Sequence, residues 1–288
     1  MPTATVTAVI ATRNRRPELC ATLDRLSALP ERPGIIVVDN GSQDGTARTI
    51  RRSFPHVELI TLRRNQGACA RNVGVRRAGT PYVALSDDDS WWEPGALSKA
   101  VAILDASPRT AIVAAATLVG PEAAPDPLNA VMAESPLSRE SLPGPRVLGF
   151  LGCAAVARRQ AYLAAGGYSR LLFIGGEEEL LAYDLAARGW PISYRADVIA
   201  HHWPSPVRDA RRRRSLEARN RILVAWLRRP LPRAAGDTAR VARAAARDPA
   251  AGRALVETVV RLPAALLLRR RLPAHVEADI RLMEGRVA

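Results

Sequence analysis

Three consecutive carboxylates, Asp87, Asp88 and Asp89, follow the short apolar run Tyr82–Leu85. Adjacent anions repel one another, so a folded chain must supply something that offsets them. Hard divalent cations such as Mg2+ or Mn2+ take carboxylate oxygens and often share their coordination sphere with phosphate. The apolar run reads as a buried strand, and open α/β sheets bind ligands outside the carboxyl ends of their strands. The pattern points to a metal–diphosphate site. A solvated acidic turn, with Asp89 or Ser90 capping the next helix, is the simpler alternative.

The elements that would position these acids alternate along the chain. Residues 5–12 read as a first strand, running into a polar turn in which Pro17 suits a helix start. Leu19, Leu23, Leu26 and Leu29 recur at helical spacing. Ile35–Asp39, Val57–Leu62 and Tyr82–Leu85 read as three more strands, with helices near 43–54, 68–77 and 96–104. Strand–helix units of this length imply right-handed βαβ crossovers and an α/β fold, with a Rossmann-like, mainly parallel sheet and flanking helices. Wholly apolar strands fit a sheet covered on both faces.

Another strand is expected over 111–116. Proline at 121, 125, 127, 136, 143 and 145 makes 119–146 read as a long loop, of a kind often used as a lid. Short helices are expected over 159–165 and 180–188, then a strand over 192–199 that leads to His201 and His202. Pro204-Ser205-Pro206 reads as a linker, and the remainder as helix.

The 288 residues, 48% hydrophobic, suffice for one large domain plus an appendage. No apolar run approaches the roughly 18 to 20 residues needed to span a bilayer. Met1–Thr5 lacks a basic segment followed by an apolar one, so no signal peptide is expected. Cys20, Cys69 and Cys153 form no paired motif, which argues against a disulfide framework and for a reducing, cytoplasmic compartment. The net charge of +14 is uneven: residues 208–288 hold 20 arginines against eight acids, +12, leaving +2 for the rest. That asymmetry suggests an anionic partner for the tail.

Five stretches, in order, resemble the motifs of family 2 glycosyltransferases: Val9–Arg15, Val37–Thr46, Asn65–Gly74, Asp87–Asp89 and Gly175–Glu178. The resemblance spans about residues 5–203. It departs at Ala11, Arg13 and Glu178, where Pro, an aromatic residue and Asp are usual, and at Leu180 and Asp184 in the following helix. It implies a GT-A type transferase domain over 1–206 with a basic helical C-terminal extension over 207–288. The implied reaction moves a sugar from a UDP- or dTDP-sugar to an acceptor hydroxyl with inversion, assisted by Mg2+ or Mn2+.

Under that resemblance each residue carries a role beside a plainer one. Asp39, ending a buried strand, could accept the imide N–H of uracil or thymine, or cap a turn. Thr12, Arg13 and Asn14 would line the same nucleotide pocket. Arg71 could contact base or phosphate, or be an ordinary surface arginine. Asp87 and Asp88 are expected near the donor ribose or the metal, with Asp89 as a metal ligand. His201 or His202 could complete the metal shell or be structural. Glu178 takes the family's general-base position, with Glu177 as its alternate, although acids at a helix N-terminus are also favoured by the helix dipole alone. Trp91 and Trp92 could stack on the acceptor or anchor a loop.

The acceptor is expected to be a glycan, a lipid-linked saccharide or a natural-product scaffold. In the tail, Ala264–Leu268 followed by Arg269–Arg271 favours peripheral contact with an anionic membrane face over simple solvated charge, and nucleic acid is not expected as a partner. Two alternatives stay open. One is a catalytically inactive nucleotide-sugar-binding scaffold protein, against which the intact acids count. The other is a nucleotidyltransferase, for which residues 11–16 lack the glycines of a triphosphate loop.

Overall fold

The computed structural model describes residues 4–139, 141–204 and 210–285. The first half alternates as expected: β1 (Val6–Thr12), α1 (Arg16–Ser27), β2 (Gly34–Asp39), α2 (Thr46–Ser53), β3 (Glu58–Thr61), α3 (Ala70–Arg77) and β4 (Tyr82–Ser86). Pro17 sits in the first turn of α1, and Leu19, Leu23 and Leu26 bury its inner face. Then follow β5 (Ser90–Trp92), α4 (Ala96–Ala106), β6 (Ile112–Val119), β7 (Ala124–Pro125), α5 (Pro127–Ala133), β8 (Arg146–Val147), β9 (Ala155–Arg158), α6 (Arg159–Ala164), α7 (Glu177–Ala186) and β10 (Ile192–His202). Four helices close the chain: α8 (Ala210–Arg228), α9 (Leu231–Ala245), α10 (Pro249–Leu267) and α11 (Ala274–Glu284).

One sheet carries the strands in the order β3-β2-β1-β4-β9-β6-β10-β5. Pairing is parallel from β3 to β4, as expected, and again between β6 and β10. The second half is mixed, because β9 lies antiparallel between β4 and β6, and β5 lies antiparallel to β10. Apolar runs mark such strands as buried without encoding their direction.

The expected long loop over 119–146 instead holds β7, α5 and β8. Asp126 caps α5 by accepting from Leu128 N at 2.8 Å, and Pro127 occupies the first helical position. A proline there starts a helix rather than breaking one. The Asn129 amide then pins α5 to Thr117 of β6 through bonds of 2.9 and 2.8 Å.

Alternation along the strands builds two cores. Ala8, Ile10, Val37 and Ala84 face α1, α2 and α4, whereas Val9, Val38, Val83 and Leu85 face α3, α6 and α7. A third core joins Leu180 and Tyr183 of α7 to Leu223 and Leu227 of α8 and to Val276 and Ile280 of α11. Arg228 clamps Asp184 of α7 with bonds of 2.5 and 2.8 Å, so the basic tail is stitched to the helix that carries the glutamates. The boundary expected at 206/207 lies outside the described residues. Among those residues no helix is long and apolar enough to cross a membrane.

Candidate active site

β1 pairs in parallel with both β2 and β4, so the three strands release Thr12, Asp39 and Asp87–Asp89 at one edge. Thr12 Oγ1 donates to Asp88 Oδ2 at 2.8 Å. Arg15, in the turn after β1, places Nε 3.3 Å from Asp88 Oδ1 and donates from Nη2 to Asp89 Oδ2 at 2.8 Å. Arg71, buried on α3, pairs with Asp87. Two arginines therefore offset much of the repulsion among the three acids. Burial pushes Asp88 up to about 6, against the pull of Arg15 and Thr12. Burial also opposes ionisation of Asp89, but the adjacent His202 and the Arg15 charge outweigh it and hold the group at about 2.

Successive side chains of β10 point to opposite faces and separate the two histidines. His202 Nε2 lies 3.3 Å from Asp89 Oδ1. His202, Asp87 and Cys153 offer ligand atoms that all lie within 4.8 Å of one another. His201 turns away: its ring stacks on Trp91 at 5.3 Å and its Nε2 meets Glu93 Oε2 at 2.5 Å. The expectation of His201 as a metal ligand is corrected on this ground. Asp89 is engaged by Arg15 and His202.

The donor set suits a divalent cation. Burial pushes the Cys153 thiol up to about 12, so it stays protonated and ligates poorly. Asp87 carboxylate and His202 imidazole remain, an oxygen and nitrogen set that suits Mn2+ better than Mg2+, which prefers oxygen alone. The His202 Nε2 atom is buried and has no well-aligned hydrogen-bond partner among the described residues.

Gly175 and Gly176 take left-handed backbone (φ 89° and 80°) and turn the chain into α7. Three acids then fill the first helical turn, where exposed backbone N–H groups favour them. Glu177 is buried, and its Oε2 has no hydrogen-bond partner among the described residues. Glu178 lies over Gly152, beside the Tyr168 hydroxyl. Burial, then the Glu177 charge, push Glu178 up to about 8 against the pull of Arg71. Glu179 instead accepts from Tyr183 OH at 2.6 Å, a structural contact. Arg71 thus links the two halves of the site, paired with Asp87 on one side and acting on both glutamates on the other.

The remaining expected residues divide. Thr12 and Arg71 belong to the cluster, and Arg71 is a buried residue rather than a surface one. Asp39 is buried, and its Oδ1 accepts from Ser42 N at 2.8 Å, which caps the turn after β2. Asn14 (φ 54°) accepts from Gln43 N at 2.7 Å and ties the loops after β1 and β2 together, while Arg13 is exposed beside it. Trp92 is corrected: it is fully buried and donates to Ser86 Oγ at 3.0 Å, so it is a core residue. Trp91 stays near the surface, covered by the Arg25 guanidinium 3.7 Å from its ring and edged by Trp203.

Sequence reasoning missed several participants. Arg15 stood within a quoted motif, and its signal was a basic side chain one turn beyond a strand that ends beside acids. Cys153, Gly152 and Tyr168 gave no local signal, because their contacts arise only from the fold. Asn220 of α8 also holds the site, donating to Leu172 O at 3.1 Å and Ile174 O at 2.8 Å in the loop ahead of the glutamates.

Sheet order, edge acids and facing helix define a GT-A type α/β fold, and solved structures agree. The mannosyltransferase PcManGT of Pyrobaculum calidifontis, in complex with GDP-Man and Mn2+, superposes with a TM-score of 0.60 at 20% identity, over 98% of this chain and 80% of that one. S. aureus TarS 1–349, in complex with UDP-GlcNAc, gives 0.62 at 15% identity, over 89% of this chain and 72% of that one. At these identities the likeness concerns the fold.

The sequence profile of glycosyl transferase family 2 matches residues 7–164, more than half of the chain, and the chain belongs to that family. N-acetylglucosaminyl-diphospho-decaprenol L-rhamnosyltransferase of Mycobacterium tuberculosis is 29% identical over 240 residues, 70% of this chain and 77% of that protein. The uncharacterized glycosyltransferase YwdF of Bacillus subtilis is 32% identical over 97 residues, 33% of this chain and only 36% of that protein. Family membership answers the nucleotidyltransferase alternative.

Proposed function

We propose that the protein transfers a sugar from a UDP- or dTDP-sugar to an acceptor hydroxyl with inversion, assisted by a divalent cation, in the building of a polysaccharide or glycolipid. The observation that carries this reading is Arg71, paired with Asp87 at the sheet edge and acting on the Glu177–Glu178 pair opposite. It ties a place for a diphosphate to a place for a base.

Glu178 takes the proton from the acceptor hydroxyl. The acceptor oxygen attacks the anomeric carbon from the face opposite the leaving group, and the bond to the diphosphate oxygen breaks with its electron pair. One displacement of this kind inverts the anomeric centre. Asp87 and His202 would hold the cation, with Asp89 steadying His202, and the ion would supply positive charge to the departing diphosphate. Arg71 and Arg15 add fixed positive charge beside the leaving group, where preorganised charge acts most strongly. Asp39, Thr12 and Asn14 would frame the base and ribose.

The test is a screen of nucleotide sugars for thermal shift and slow hydrolysis, with and without Mn2+. A UDP- or dTDP-sugar should respond, and more strongly with Mn2+. Silence from every sugar nucleotide under all divalent ions would reject the reading. Glu178→Gln should retain donor binding while transfer falls by at least about 10²-fold.

A further inference from the structure

The helices α8 and α10, together with residues 170–173, enclose a cavity of about 400 Å³ away from the acid cluster. Arg170, Arg212, Arg219, Arg253 and Arg261 line it, with Glu257 as the one acid among its described lining residues. Arg219 is almost fully buried and bonds Leu172 O at 2.5 Å, Asn220 Oδ1 at 2.9 Å and Glu257 Oε2 at 2.6 Å. Glu257 also meets Arg253 Nε at 3.1 Å and stands 3.8 Å from Arg261 Nη1. One carboxylate is shared among three guanidiniums, which leaves the concave space strongly positive. Leu172 O and Ile174 O, bonded by Asn220, belong to the segment that runs directly into Glu177 and Glu178. Phe173, which lines the cavity, belongs to the same segment.

Beside the cavity, α10 shows apolar side chains to solvent. Val256, Val259, Val260 and Leu267 are 68, 67, 74 and 87% exposed. Positions 256, 260, 263 and 267 follow one face of a helix, and 253, 257 and 261 follow the adjacent face. Arg253 and Arg261, flanking Glu257, thus run beside an apolar stripe along one helix, and exposed Arg270 and Arg271 close the far end. A stripe of this kind requires a cover, and the cover must be apolar along one line and anionic along the next.

We propose that this face of α8 and α10 is the seat of a phosphate-bearing lipid in a bilayer. The arginine cavity takes the phosphate or diphosphate, the Val–Leu stripe rests in the acyl boundary, and a sugar linked to that phosphate is presented to Glu178. The inference rests on the transferase reading, since it makes the lipid-linked saccharide its acceptor. Guanidinium groups match phosphate oxygens in pairs, which separates this site from a generally basic surface.

The test uses the full chain and co-sedimentation with phosphatidylcholine vesicles of three kinds: plain, doped with phosphatidylglycerol, or doped with polyprenyl diphosphate at matched charge. The polyprenyl diphosphate vesicles should bind most tightly, and inorganic pyrophosphate should displace the protein from them. Arg253→Gln with Arg261→Gln should weaken that binding by at least about tenfold, down to the phosphatidylglycerol level. Val256→Ser with Val260→Ser should weaken binding to all three vesicles. Equal binding to both charged vesicles, or no displacement by pyrophosphate, would overturn the proposal without any variant having to fold. A wild-type chain that binds polyprenyl diphosphate but answers to no sugar nucleotide would sink the transferase reading and keep the lipid site. The opposite result would sink the lipid site alone.

Discussion

A methyl group added at Gly152 tests the position of the base without touching the base itself. A Cβ built there would stand 2.4 Å from Glu178 Oε1 and 3.2 Å from the Tyr168 hydroxyl. Ordinary contact begins near 3.4 Å, so the carboxylate must retreat by about 1 Å. Gly152 is not among the residues with left-handed backbone, so alanine brings no backbone strain. The nearest clashing atom is the far end of a side chain, which moves more cheaply than backbone, and the fold should survive. A shift of about 1 Å in a reacting group can lower turnover by about 10²-fold. Gly152→Ala should therefore reduce kcat by about that factor, with donor affinity and melting temperature close to wild type. Gly149→Ala is the matched control, because nothing lies within 4 Å of its added Cβ. Steady-state transfer rates and donor titrations on the three proteins decide the matter. Unchanged kcat in Gly152→Ala would refute the placement of Glu178 as base.

Further outcomes follow from the same geometry. Glu178 should ionise near pH 8, since burial and Glu177 retain its proton, so kcat/KM should climb about tenfold per pH unit below that point and level above it. A break in the ordinary glutamate range would contradict the assignment. The sign for stability is opposite: this raised group stabilises the fold fully below its unfolded value of 4.5, and the contribution is lost as pH rises through about 8, which urea titrations of Glu178→Gln against wild type would detect. Asp87→Asn and His202→Ala should each abolish the Mn2+-dependent part of the donor thermal shift, whereas His201→Ala should keep it. Asp184→Asn, which breaks the clamp to Arg228, should cost about 3 kcal/mol in urea denaturation and loosen the C-terminal helices from α7.

Much of the first half was legible because its signals are local. Leucines at helical spacing, short apolar runs and Pro17 at a helix start each act within one element. The acids at the end of β4 were legible because charge at the end of an apolar strand is itself an anomaly. The rest depended on pairing that sequence does not encode. His201 and His202 differ by one residue, and only the face that β10 turns toward the acids separates them. Trp92 is expected to stack on an acceptor or anchor a loop, because nothing local reveals that Ser86 Oγ waits for its indole N–H. The prolines of 119–146 were read as breakers, whereas Asp126 and Pro127 start a helix together. The tail is expected to be an appendage after a Pro-Ser-Pro linker, yet Leu223, Leu227 and Ile280 share a core with Leu180.

The most direct measurement is the anomalous scattering of Mn2+ in crystals soaked with UDP or dTDP. The account predicts a peak bounded by Asp87 and His202, with the diphosphate on it and Glu178 facing the open side of the terminal phosphate. Manganese and diphosphate bound elsewhere, or a terminal phosphate turned away from Glu178, would contradict it.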